Sequence, residues 1–268
     1  MISRYTRAFT LIELLVVVSI ISMLSSVILV ALQGARDKGR IGSLVTFATY
    51  NYHKLGADLV FYANFNEASG APLDTAQNFT SAISVGRAAS FSSGTAFDSA
   101  NQDPASTLAF TRSSSLTVAN NSYSFSLWAK RSNAAVSGYE DLLVLDSDNG
   151  RQIYQNSGNT VCWQSTGPSV PNSSVNDDKW HHILCTFDKS TGVYTFYLDG
   201  KKVSTATITN NVFTFQNLRI GNGFSAPGVS YRFNGLIDEV QIFSETLLAY
   251  QVQELYALGR TSHPLAVQ

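Results

Sequence analysis

The sequence predicts a mostly β protein: a long N-terminal α-helix, apolar in its first half, followed by a two-sheet sandwich or jelly roll that closes with a short helix. Three observations point there. The chain opens with one long uncharged apolar stretch, and from Leu59 onward the apolar residues fall instead at period two or in short runs bounded by turn residues. Only 14% of residues are charged and 12% are aromatic, while Ser, Thr, Asn and Gly crowd the middle of the chain, a mixture suited to short strands with polar turns.

The first element is the stretch Leu14 to Leu32, LLVVVSIISMLSSVILVAL, whose 19 uncharged residues span about 28 Å as a helix, enough to cross a bilayer. Arg4 and Arg7 precede it and Arg36, Lys38 and Arg40 follow, so positive charge flanks both ends and does not by itself set an orientation. A secretory signal peptide would stop sooner, at a small-residue cleavage site; here the apolar run continues. Beyond it Ile41, Leu44, Val45, Ala48, Tyr52 and Leu55 keep helical spacing, and Gly56 is a suitable terminator. The spacing predicts a helix from about Phe9 to Leu55, with Gly34, Gly39 and Gly42 as places to bend.

Glu13 is the anomaly in this segment. A carboxylate at the edge of an apolar run is costly unless a partner neutralises it, which makes it a functional residue by default. The residues around it, Arg7-Ala8-Phe9-Thr10-Leu11-Ile12-Glu13, resemble the processing motif of type IV prepilins and of type II secretion pseudopilins. The shared features are a short basic leader, a small residue before the cut, Phe after it, Glu at the fifth mature position, and the apolar helix behind. The resemblance implies that a prepilin peptidase cuts between Ala8 and Phe9 on the cytoplasmic side and that the new Phe9 amine is N-methylated. It also implies a partner for Glu13, the Phe9 amine of a neighbouring subunit. Ala8 stands where Gly is usual in the family.

The strands follow in order. Leu59 to Phe65 is the first, Tyr123 to Leu127 alternates cleanly, Ile183 to Phe187 is another, and Tyr194 to Leu198 runs into Asp199-Gly200, the strongest short-range hairpin signal. Leu218 to Gly221 and Gly235 to Phe243 supply later strands, and an amphipathic helix is expected over Thr246 to Leu258, stopped by Gly259. Four segments in order, LVFYANFNEASG (59–70), YSFSLWA (123–129), KWHHILCTFDKSTGVYTFYLDG (179–200) and GLIDEVQIFSETL (235–247), resemble the laminin-G-like jellyroll of the concanavalin A-like lectin and glucanase superfamily. The chain therefore divides into a leader (1–8), a pilin-type helix (9–57, transmembrane over about 14–32), a jellyroll domain (58–260) and a tail (261–268).

Catalysis is not expected. Glucanases of this superfamily carry closely spaced acids along one strand, and hydrolysis needs two carboxyls roughly 5 to 10 Å apart. No such run exists here, and the adjacent Asp238 and Glu239 should point to opposite faces of a strand. His181 and His182 read as structural by the same argument. The net charge of −1 and the lack of a basic cluster beyond Arg36, Lys38 and Arg40 set nucleic acid aside. Cys162 and Cys185, both in strand-like runs, read either as a disulfide or as two separate buried thiols. No cofactor is certain. The jellyroll resemblance implies that calcium could be held by Asn66, Glu67 and Asp238 if the first and last strands adjoin, although Asn66 stands where relatives have Asp; the alternative is that Asp238 and Asn66 cap turns through side-chain to backbone hydrogen bonds. The polar loops 146–150, 167–178 and 221–231 are candidates for recognition, with Tyr231 and Trp163 as rings that stack on sugars or fill the core.

Together these readings describe a type IV pilin-like subunit, first in the inner membrane and then in a filament with other pilin subunits at the cell surface, displaying a lectin-like sandwich for adhesion or glycan binding. Alternatives are a pseudopilin of a secretion system and a membrane-anchored glycoside hydrolase.

Overall fold

The computed structural model describes residues 11–25, 28, 55–67, 70–81, 87–89, 95–100, 108–117, 122–131, 134–136, 138–146, 150–163, 166–208, 214–224 and 231–262. The chain forms two compact units, Met1–Gly42 and Ser43–Gln268. In the first, residues 11–25 form helix α1 with every side chain exposed. Ser22 and Ser25 turn their hydroxyls back onto the carbonyls of Val18 and Ile21, at 2.8 and 2.7 Å, which satisfies them inside an otherwise apolar surface. Among the described residues no helix is long and apolar enough to cross a membrane. Of the stretch 14–32, residues 26, 27 and 29–32 lie outside the described residues, as does 29–54 of the expected long helix. Leu55 itself lies in a turn closed by a hydrogen bond from the Asp58 N–H to its carbonyl, 3.0 Å.

The described residues of the second unit form a sandwich of fourteen strands: β1 (Leu59–Ala63), β2 (Arg87–Ala89), β3 (Thr95–Asp98), β4 (Leu108–Thr117), β5 (Tyr123–Arg131), β6 (Glu140–Leu145), β7 (Arg151–Gln155), β8 (Asn159–Cys162), β9 (Ser169–Pro171), β10 (Trp180–Asp188), β11 (Val193–Leu198), β12 (Lys201–Thr207), β13 (Thr214–Ile220) and β14 (Gly235–Phe243). One sheet of eight runs β12-β11-β10-β5-β14-β3-β2, with β1 also on β14; the other, of six, runs β4-β13-β6-β7-β8-β9. The first and last strands are thus antiparallel neighbours, Tyr62 opposite Gln241 and Ala63 opposite Val240. The β11–β12 hairpin turns at Asp199-Gly200, both at positive φ (51° and 74°), as an Asp-Gly two-residue turn requires. No side chain fits at Gly200 in any case, because a Cβ there would lie 2.9 Å from the Tyr256 ring.

Side chains alternate across the sheets. Ile183, Cys185 and Phe187 of β10 face the inter-sheet core with Phe61, Phe79, Phe110, Phe125, Leu143, Ile153 and Leu218. The rings pack edge-on or stacked, Phe61 on Phe110 at 4.8 Å and Phe79 on Phe215 at 5.4 Å, each pair contributing about 1 kcal/mol beyond its burial. Leu184, between two inward residues, points the other way and packs with Tyr197, Phe243, Val252, Leu255 and Leu55. The last helix, α2 (Ala249–Ser262), therefore covers the outer face of the larger sheet, and Leu55 is seated beside it.

Two expectations are corrected. The C-terminal helix does not stop at Gly259 but continues to Ser262. Gly259 is there for close approach: a Cβ would lie 2.5 Å from Trp128 Nε1. Asp238 and Glu239 are not a regular strand pair either. A bulge breaks the β14 register between Asp238 and Gln241, Glu239 takes φ 52°, and both side chains are buried.

Candidate functional site

Ala8 and Phe9 lie outside the described residues, while Glu13 sits on the exposed surface of α1 among exposed Leu11, Ile12, Leu14 and Val16. On the sandwich, pairing of β1 with β14 brings Glu67 close enough to Asp238 for its charge to act on that carboxyl. Burial pushes Asp238 well above the ordinary carboxylate range, the Glu239 N–H opposes this at 2.8 Å, and Glu67 adds to the rise. Glu67 Oε1 accepts the Leu73 N–H (2.7 Å), and Asn66 Oδ1 accepts the Thr95 N–H (3.1 Å). Of the two turn caps weighed from the sequence, Asp238 makes a local bond, to the Glu239 N–H, whereas Asn66 reaches across to β3. The donor set also suits a hard cation, since a dication would relieve the repulsion between the two carboxyls. Among the described residues no group of three or more His, Cys, Asp and Glu is placed to hold a metal. Glu239, beside them, accepts a short hydrogen bond from the buried Tyr62 hydroxyl, whose own proton is held by burial and then by the Glu239 charge.

Cys162 on β8 and Cys185 on β10 form a disulfide with Cα atoms 6.0 Å apart, joining the two sheets through the core. His181 and His182 face opposite ways. His182, 1% exposed, is bonded through Nε2 to Ser126 Oγ (2.8 Å) and lies against Trp128. His181 is held between two carboxylates, Nδ1 to Asp199 Oδ2 and Nε2 to Asp177 Oδ1, each 2.9 Å. A neutral imidazole has one N–H and cannot donate to both, so the geometry calls for imidazolium. Burial works against that charge, but Asp199 and then Asp177 outweigh it and raise the His181 pKa.

Of the recognition loops, Asp146 caps β13 by accepting the Gln216 and Asn217 N–H groups, and Asn172 binds the Asn156 carbonyl at 2.7 Å. Trp163 stacks on Tyr194 at 5.5 Å and packs against the core, so it is no open platform. Tyr231 remains half-buried at the surface. Two features escaped the sequence reading. Asp74 is 7% exposed, and its two oxygens accept four backbone N–H groups, from Tyr62 (2.9 Å), Ala76 (3.0 Å), Asn78 (2.8 Å) and Phe79 (2.9 Å). Arg131 makes a buried two-pronged pair with Glu140, at 2.9 and 2.6 Å. Only the Asp-x-x-Gln-Asn turn composition at 74–78 hinted at the first; nothing local signals the second.

Two facing antiparallel sheets linked by a disulfide through their shared core are a jellyroll-like sandwich. Residues 103–253 match the concanavalin A-like lectin/glucanases superfamily, and the chain belongs to that superfamily. Residues 3–29 match the prokaryotic N-terminal methylation motif. Among solved structures, the chain is similar to the botulinum neurotoxin serotype D binding domain at 13% identity and TM-score 0.57, covering 76% of this chain and 53% of that one. It is similar to domain 4 of AbnA, an extracellular arabinanase from Geobacillus stearothermophilus solved with arabinotriose, at 20% identity and TM-score 0.52 over 74% and 98% of the two chains. Trypanosoma rangeli sialidase aligns at 15% identity and TM-score 0.55, over 76% of this chain and 33% of the enzyme. At such identities the likeness is one of fold, and the chain spans about half the length of the neurotoxin domain it matches. No curated protein matches the sequence.

Proposed function

We propose that this chain is a type IV pilin-like subunit that is cut between Ala8 and Phe9, N-methylated on Phe9, registered in its assembly through Glu13, and displayed with its sandwich outside the cell to bind glycans or another surface. The observation that carries the reading is the union, in one chain, of a methylation motif at 3–29 and a lectin-superfamily sandwich. The apolar stretch 14–32 serves as the membrane anchor before assembly and as a packing surface within the filament afterwards. The leader stays cytoplasmic, which puts the sandwich on the far side, where a disulfide persists. Binding rather than catalysis is its role, because its buried acids at 238–239 are bonded inward.

N-terminal and intact-mass analysis of the protein from its native envelope tests this. A chain beginning at methylated Phe9 is expected; an intact Met1 chain overturns it. A secretion pseudopilin shares the same processing, and imaging separates the two, since only a pilin builds long surface filaments. We assign the expected calcium to Glu67 and Asp238 with the Asn66 carbonyl. Calcium should then raise the melting temperature of the wild type and leave Asp238→Asn unmoved, and no shift in the wild type rejects the site.

A further inference from the structure

We propose that Tyr139 and Tyr231 form a stacking subsite for one uncharged hexose ring of a polysaccharide. The proposal rests on reading the sandwich as a glycan-binding module and names where and what it binds. The place is the end of the smaller sheet where β6 begins and β7 finishes. Tyr139 keeps 43% of its surface exposed although it lies against two other rings. Its ring is 5.9 Å from that of Tyr154, tilted at 47°, and 6.2 Å from that of Tyr231, edge-on at 66°. Tyr154 is 2% exposed and serves as the floor. The two outer rings thus make a corner rather than a flat patch.

This corner is fixed before any ligand arrives. The Tyr231 carbonyl accepts the Asp141 N–H at 2.7 Å, Arg232 forms a parallel bridge with Asp141, and the Asn234 N–H donates to Glu140 Oε2 at 3.0 Å. Glu140 is itself gripped by Arg131, whose side chain is 1% exposed. A buried ion pair contributes little net stability, yet it holds the segment 231–234 in one register against β6. The rings are therefore preorganised, which lowers the ordering cost of binding.

Size and charge choose the ligand. Two tyrosine rings are far too small for a protein interface, which needs roughly 800 Å² on each side. They match one sugar ring, whose C–H face packs on an aromatic face. The formal charges of Arg131, Glu140, Asp141 and Arg232 cancel, so the corner offers no surplus positive charge for an acidic sugar.

Titration calorimetry of the detergent-solubilised full chain with cellotetraose, mannotetraose and galactotetraose, and with sialyllactose as the anionic comparison, tests the proposal. At least one neutral oligosaccharide should bind, Tyr139→Ala should weaken it at least tenfold, and Tyr139→Phe should bind like the wild type. Tyr231→Ala, which keeps the backbone bond to Asp141, should weaken binding several-fold, a second readout should Tyr139→Ala prove unstable. Unchanged affinity in Tyr139→Ala, or a preference for sialyllactose, overturns this subsite while the glycan-binding reading stands. A wild type that binds none of the sugars takes down both.

Discussion

Asp74→Asn should be among the most damaging single-atom changes available in the sandwich. The carboxylate joins the end of β1 to the turn that follows, with each of its oxygens accepting two backbone N–H groups. Asparagine keeps one acceptor oxygen. Whichever way its amide is set, two of the four N–H groups face an NH₂ group that cannot accept. Hydrogen bonds to a charged acceptor contribute about 1.5 to 3 kcal/mol each, and Asp74 is only 7% exposed, so little water replaces them. Taking the low end, because the turn can shift slightly, the loss is about 3 kcal/mol. Urea unfolding of wild type and variant measures it: the midpoint should fall while the slope with denaturant stays the same. A loss below about 1 kcal/mol would mean that the four contacts are not cooperating as a knot, and the account of this turn would fail. Burial pushes the Asp74 carboxyl above its ordinary range and the four N–H groups oppose that, so the comparison belongs at neutral pH or above.

The remaining predictions concern other parts of the sandwich. Reducing Cys162–Cys185, which closes a separation of 23 residues, should cost about 3 kcal/mol on the chain-entropy account, and an unchanged melting temperature in reductant would reject it. His181 has a raised folded pKa, so its contribution is complete below its unfolded value of about 6.5 and is lost as pH rises through the folded value. Asp177 is held below its ordinary range, with burial opposing and the His181 hydrogen bond and charge lowering it, so its share is lost instead as pH falls through that depressed value. Unfolding midpoints of wild type and His181→Gln across pH 5 to 9 should converge at the alkaline end, and parallel curves would refute the clamp. Gly259→Ala, which in an exposed helix stabilises by about 1 kcal/mol, should here lower the melting temperature because its methyl would meet Trp128, and a rise would show that the helix shifts freely.

Much of the sandwich was legible because strands with one face in a core write period two into the sequence. Tyr123 to Leu127, Ile183 to Phe187 and Gly235 to Phe243 all lie in observed strands, and Asp199-Gly200 makes the hairpin its composition demands. The extent of the elements was harder to read. β4 is ten residues long, but after Phe110 its side chains are mostly exposed and polar, so nothing marked the strand except its pairing with β13. Gly259 reads as a stop from its neighbours in sequence, and only Trp128, far away along the chain, explains why glycine stands inside the helix. Tertiary contact also decided the disulfide, left open between bonded and separate thiols until β8 and β10 were seen on facing sheets. Asp74 is bonded to backbone groups, and Arg131 and Glu140 to each other and to backbone, and such partnerships leave no periodic trace.

The cysteine pair also governs how the chain can go wrong. With two cysteines in the whole sequence, only one intramolecular bond exists, so an oxidising compartment cannot trap a scrambled isomer and no isomerase is needed to sort alternatives. Both sulfurs belong to residues with no exposed surface. Once the sheets close over them they are beyond the reach of another chain. The one hazard is a bond between two chains still unfolded side by side, which makes the interval before sheet closure the moment at which crowding, rather than redox chemistry, sets the yield of soundly folded chain.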